Sequence, residues 1–313
     1  MMTVFRASEK RKRRKLLARS EPDQLPPLRL TQRDLAILQA VYEYRALTTP
    51  LIEQLLFAKG SARETRCRKR LQRLYHHAYL WRDEQPTKLS QGRAPLVYRL
   101  DSKGAILLAE LWGLELRDLD WDRRENAVSN PYLTHLLKTN EVRVAIVLAA
   151  SRHGLTVEEW LDDATLRKAQ NKDYVNITGP HGGKQKAAIV PDGYFHLAAS
   201  DYDYHHLLEV DLATVTGQSS RWGRRDWARK IRAYVEYHVS GLYQQRYGTS
   251  SLRILTVTTG PRRLSNLKEI AQRVGGKARF WFTTFDQLSP ETALSQPIWQ
   301  VAGRGPEQFT LLW

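Results

Sequence analysis

Three carboxylates and one lysine in the second half of the chain have the spacing that could do chemistry. Pro191-Asp192-Gly193 is followed, seventeen residues after Asp192, by Glu209-Val210-Asp211. The segment Tyr204 to Leu212 reads as a strand, so Glu209 and Asp211, two apart, point to one face while Leu208, Val210 and Leu212 point to the other. Like charges set side by side on a sheet need a cation. Either a divalent metal with hard oxygen ligands or a basic side chain from a covering helix would serve. Lys230, on the helix expected after the strand, is the natural candidate for the second role.

Other chemistries fail on inspection. Gly179, Gly182 and Gly183 do not form a phosphate loop, because no Gly-x-x-x-x-Gly-Lys-Ser/Thr pattern is present. Adjacent strand residues face opposite sides, so His205 and His206 are poorly placed to share one metal. His135 and Asn140 read as residues that cap or cross-link a core, and Trp81, Trp222 and Trp227 as packing anchors. A single cysteine, Cys67, excludes an internal disulfide and a cysteine-based zinc site.

The elements that must carry these residues follow from periodicity and breakers. A helix over about Tyr132 to Arg152 leads into an alternating strand, Leu155 to Leu161. Lys168 to Lys186 reads as a loop or hairpin, then come strands over Ala187 to Leu197 and Tyr204 to Leu212. A helix over about Arg224 to Tyr247, a strand over Ser251 to Thr258, a helix over Arg262 to Val274 and a strand over Ala278 to Phe285 complete the order. One helix, a meander and then helix-strand alternation build a central mixed sheet flanked by helices.

The first hundred residues differ in charge. They hold 22 Lys+Arg against 9 Asp+Glu, a net +13 of the chain's +16. Such asymmetry points to one basic module joined to a nearly neutral one, and its partner to an acidic polymer. Residues 1–28, with the run Lys10 to Lys15 and Pro22, Pro26 and Pro27, read as a basic flexible arm. Helices begin at Thr31, at Thr48 or Thr49 with Pro50, and at Ser61, the third burying Cys67, Leu71, Leu74 and Ala78. A strand pair around a polar loop and a helix capped by Asp101 close the module. This is the order of a winged helix-turn-helix over residues 29–118, joined by a connector, 119–130, to an α/β domain over 131–313. Arg63, Arg66, Lys69, Arg70 and Arg73 on the third helix, with Lys88 and Arg93 on the wing, are the expected contacts to double-stranded DNA. Apolar runs are too short for a membrane span, and the basic start lacks the apolar centre of a secretory signal, so a cytoplasmic protein is expected.

At Asp192 and Glu209 the domain resembles the PD-(D/E)xK nuclease superfamily. The resemblance implies that these two residues hold Mg2+ or Mn2+ and that a lysine two positions on helps activate water. Asp211 stands where that lysine belongs, which leaves Lys230 to supply the charge from the helix, and Glu141 resembles an extra acidic residue of some members. The ordered chain as a whole resembles the replication-relaxation family of plasmids and mobile elements. The resemblance runs through LTQRDLAILQAVYEYRALTTPLIEQLLF, RLDSKGAILLAEL, HLLKTNEVRVAI, VPDGYF and LLEVDLATVT into Lys230 and Tyr234. It implies a winged helix-turn-helix followed by a restriction-endonuclease-like mixed-sheet domain. It also implies DNA binding in replication, relaxation or transfer of a mobile genetic element. The nuclease-like domain is then either degenerate or a magnesium-dependent endonuclease or nickase. Replication or transfer proteins, and a second copy in a homodimer, are the further partners expected.

Overall fold

The computed structural model describes residues 18–19, 25–85, 94–124, 130–179, 182–198, 203–215, 217 and 226–312. The chain divides into two compact units, Met1–Ala127 and Val128–Trp313.

In the first unit, α1 (Gln32–Glu43) opens at Thr31, whose N–H and hydroxyl donate to Asp34 Oδ2 at 2.6 and 2.7 Å. Asp34, at the third helical position, thus reaches back to the cap residue and satisfies its N–H. A two-residue strand, β1 (Leu47–Thr48), precedes α2 (Thr49–Leu56), where Pro50 occupies the first turn and its missing N–H costs nothing. Helix α3 (Arg63–His76) buries Cys67, Leu71 and Leu74. Ala78, expected on that same face, instead lies past the helix end with φ 63°. Strands β2 (Leu80–Asp83) and β3 (Val97–Leu100) pair antiparallel, and β1 adds to the far edge of β3. Helix α4 (Ser102–Trp112) is capped by Asp101, which accepts from the Ser102 N–H at 2.7 Å, and ends at the left-handed Gly113. Ile37, Leu38, Ile52, Leu71, Leu74 and Leu80 form a fully buried centre. The helices and the wing strands come in the order expected, β1 being an addition to it, while Lys88 and Arg93 lie outside the described residues, as does most of the basic arm.

The second unit begins with α5 (Asn130–Arg152), β4 (Thr156–Asp162) and a single helical turn, α6 (Asp163–Leu166). A hairpin, β5 (Asp173–Thr178) with β6 (Lys184–Ile189), stands as a separate two-stranded sheet. Strands β7 (Gly193–Ala198) and β8 (Asp203–Asp211) follow. Then come α7 (Trp227–Val239), α8 (Leu242–Tyr247), β9 (Arg253–Thr258), α9 (Pro261–Arg273), β10 (Phe280–Thr284), β11 (Trp299–Val301) and β12 (Gln308–Phe309). Seven strands form one mixed sheet in the order β12-β11-β10-β9-β8-β7-β4, with β8, β9 and β10 mutually parallel. Parallel neighbours need long crossovers, and α7 and α9 provide them.

Each face of the sheet has its own core. On one, Leu207, Ile254, Phe280 and Phe282 pack against α7, α9 and the β5–β6 hairpin. On the other, Leu208, Val210, Leu255 and Val257 pack against α5 and the C-terminal Leu311 and Leu312.

Two expectations need correction, and two strands were not expected at all. The strand expected over Ala187 to Leu197 is two strands in different sheets, because Pro191 cannot donate to a ladder and breaks the run. The helix expected through Tyr247 breaks at Gly241, which takes a φ of 76°. Strands β11 and β12 went unpredicted, being too short to show alternation. Among the described residues, no helix is long and apolar enough to cross a membrane.

Candidate functional site, a carboxylate cluster with its own cations

Period-two alternation along β8 turns Glu209 and Asp211 toward α7 and α9, and sends Leu208 and Val210 into the core under α5. Asp192 precedes β7 at the proline break. Its N–H donates to Leu208 O at 2.9 Å and its Oδ2 accepts from the Val210 N–H at 2.8 Å, so the carboxylate is clamped against the end of β8. Helix α7 starts at Asp226, which accepts from the Arg229 N–H at 2.7 Å. Lys230 and Tyr234, one helical turn apart, therefore project together.

Both reach the same carboxylate. Lys230 Nζ donates to Glu209 Oε2 and the Tyr234 hydroxyl to Oε1. Asp211 is engaged separately. Arg263 of α9 grips it with two parallel bonds, Nε to Oδ2 at 2.8 Å and Nη2 to Oδ1 at 3.0 Å. The Thr258 hydroxyl at 2.7 Å and Trp227 Nε1 at 3.1 Å complete its shell. From α5, His135 Nε2 stands 3.1 Å from Val210 O and 3.4 Å from Asp192 Oδ2. Both neighbours are acceptors, so Nε2 must carry a proton.

Burial sets the electrostatics. It pushes the Glu209 carboxyl up to about 7, with the Asp192 charge adding to the rise and Lys230 and Tyr234 opposing it. Burial also pushes Asp192 upward, but Lys230 and His135 outweigh it and hold Asp192 below the ordinary value. Lys230 and His135 both retain their protons more strongly than usual: the neighbouring carboxylates overcome the desolvation that would strip them. Asp211 is held low, burial being outweighed by Arg263 and Thr258.

A cavity of about 650 Å³ opens over the cluster. His135, Arg167, Lys172, Lys186, Arg229 and Lys230 line it beside Asp192 and Glu209. Hard divalent cations take carboxylate and carbonyl oxygens. Here those oxygens are engaged by the chain's own donors: Glu209 by Lys230 and Tyr234, and Asp192 Oδ2 and Val210 O by His135. Asp211, expected as a third metal ligand, is turned to Arg263, so the three carboxylates do not make one ion cage. A divalent ion would have to displace Lys230, Tyr234 or His135 to take these oxygens. Glu141 does not line the cavity and pairs with Lys138 at 2.7 Å.

The sequence singles out Asp192, Glu209 and Lys230, and the structure brings them together at one cavity. Sequence reading took His135 for a core residue and had no sign of Arg263.

The replication-relaxation family model matches residues 38–252. The chain belongs to the replication-relaxation family. No curated protein matches it. Among solved structures, restriction endonuclease FokI bound to DNA matches at 16% identity and a TM-score of 0.25, covering 82% of this chain and 43% of that one. Restriction endonuclease FokI alone matches at 13% identity and a TM-score of 0.25, covering 82% and 42%. The match thus spans less than half the length of those endonuclease chains.

The basic helix of this replication-relaxation chain divides into two sets. Arg66 and Lys69 are exposed on α3, and Arg73, also exposed, donates to Pro27 O at 3.2 Å. Arg70, expected on the same outward face, instead grips the fully buried Asp34 with two bonds and adds a third to Arg29 O at 2.9 Å. Arg63 donates to Glu53 O at 2.7 Å and pairs with the Glu53 carboxylate at 3.2 Å. These two arginines are corrected to structural roles, because a buried carboxylate and a helix-end carbonyl claim their donors.

Proposed function

We propose that this replication-relaxation chain binds double-stranded DNA through its first unit. Its second unit is a nuclease-like domain whose carboxylates are neutralised from within, acting in replication, relaxation or transfer of a plasmid or other mobile element. The observation that carries the second half is the engagement of Glu209, Asp192 and Asp211 by Lys230, His135 and Arg263. Supporting the first half are the N-terminal charge excess and the exposed cations Arg66, Lys69 and Arg73 on the third helix of a winged arrangement. In this reading α3 enters the major groove, and Lys88, Arg93 and the arm add backbone contacts.

Binding of this kind collapses with salt. Neutralising about six to eight phosphates gives a slope of log affinity against log salt of roughly −5 to −7. Fluorescence anisotropy on a labelled duplex across a salt series measures it, and a flat response would refute DNA binding through the basic module.

One observation favours a second reading, a magnesium-dependent endonuclease or nickase. Lys230 arrives from α7 beside Glu209, supplying the positive charge that Asp211 displaces from the strand. Plasmid nicking in Mg2+ or Mn2+ that disappears in Asp192→Ala would establish this reading. Absence of nicking with either metal on supercoiled, linear and single-stranded DNA would leave the DNA-binding reading.

A further inference from the structure

At the other end of the β7–β8 pair, a second cluster has no part in the proposed function. The register sets His196 directly opposite His205, and their rings stack with centroids 4.3 Å apart. Asp203, two residues before His205 on β8, shares its face. Its Oδ1 stands 3.1 Å from His196 Nε2. One ligand atom from each of the three residues lies within 4.8 Å of the others. Four residues of strand, about 13 Å, separate His205 from Glu209, so this is a separate place on the sheet.

We propose that His196, Asp203 and His205 form a binding site for a divalent transition-metal ion of the zinc type. The donor set is right for it: two imidazoles and a carboxylate suit zinc and its neighbours, whereas magnesium and calcium take oxygen alone. The spacing is right as well. Ligands at about 2.0–2.1 Å from a tetrahedral ion stand about 3.3 Å from one another. The His196–Asp203 pair already meets that edge, and binding by His205 as well requires one of the two stacked rings to turn until its plane contains the ion.

The surroundings add a second argument. A metal-bound imidazole is held by a hydrogen bond on its other nitrogen, and the Tyr194 hydroxyl stands 2.7 Å from His205 Nδ1. That phenol is itself fixed by stacking on Tyr247, with centroids 4.1 Å apart. His205 is buried and His196 partly so, while Asp203 is 61% exposed, giving an ion a route in from solvent. Glu159 of β4, the register partner of His196, is exposed and adds negative charge beside the cluster. Three protein ligands leave the fourth position to water.

Zinc chloride titrated into the full-length, chelator-stripped protein, with magnesium in excess, tests the proposal by calorimetry. One equivalent should bind, and cobalt substitution should give visible d–d absorption. His196→Ala and Asp203→Ala should each weaken binding by at least about tenfold, and Tyr194→Phe by about tenfold through the loosened His205 ring. His135→Ala should leave this equivalent in place. If His196→Ala fails to fold, imidazole resonances of the wild type carry the test: those of His196 and His205 should shift on zinc addition. No zinc uptake, uptake unchanged by His196→Ala, or uptake lost in His135→Ala would each overturn the site.

Discussion

Lys230 of α7 donates its ammonium to Glu209 of β8, twenty-one residues earlier, and the two form a charge pair in the lining of the cavity. The crossover that joins β8 to its parallel neighbour β9 therefore also delivers the cation that β8 needs. Placing the lysine on the helix instead of the strand leaves the strand position to Asp211, which in turn requires Arg263.

The Glu209 carboxyl, held near 7 by burial against an ordinary value of 4.5, makes stability depend on pH. A raised carboxyl stabilises the fold fully below the unfolded value, and this contribution is lost as pH rises through 7. Urea midpoints should therefore fall from about pH 5 to about pH 8 in the wild type and fall less in Glu209→Gln. Parallel curves for the two proteins would place the titration elsewhere.

His135→Ala removes the N–H that engages Val210 O and Asp192 Oδ2. These are oxygens a hard cation would take, so the variant should bind Mg2+ or Mn2+ more tightly than the wild type in a calorimetric titration. Affinity equal to that of the wild type would show that His135 is not what bars the ion.

On α3, one single and one double substitution should separate. Arg70→Ala strips the partner from the buried Asp34 and should destabilise the first unit by about 3–5 kcal/mol, read by denaturant unfolding. Burial raises the Asp34 carboxyl, but Arg70 and Thr31 outweigh it, so the stability it adds is present above the ordinary 3.8 and lost as pH falls through the lowered value. Arg66→Ala with Lys69→Ala should leave stability within about 0.5 kcal/mol and reduce the salt slope of DNA binding by about 2. An unchanged slope would move the interface off this helix.

Gly104 tests the packing of α4. A Cβ there would meet the Tyr79 carbonyl oxygen and lie 2.8 Å from Leu100 Cδ1, so backbone has to shift. Gly104→Ala should cost about 1–3 kcal/mol despite the better helix propensity of alanine, and a stabilised variant would contradict the packing described.

What was legible in the sequence was local. Alternation along β8 placed Glu209 and Asp211 on one face, and helical spacing put Lys230 one turn before Tyr234. The α3 stripe picked out Cys67, Leu71 and Leu74 as buried. Each of these follows from backbone geometry within a single element. What only the tertiary structure decided was which distant group meets which. Arg263 lies 52 residues from Asp211, His135 lies 75 from Val210, and Arg70 lies 36 from Asp34. The same limit hid the histidine pair. Adjacent His205 and His206 do face apart, but His205 finds His196 across the strand pair. Such meetings are set by strand order, register and the path of the crossover helices, which depend on the packing of the whole core. A basic residue on an exposed-looking stripe therefore carries no mark of whether it will face solvent or a buried carboxylate.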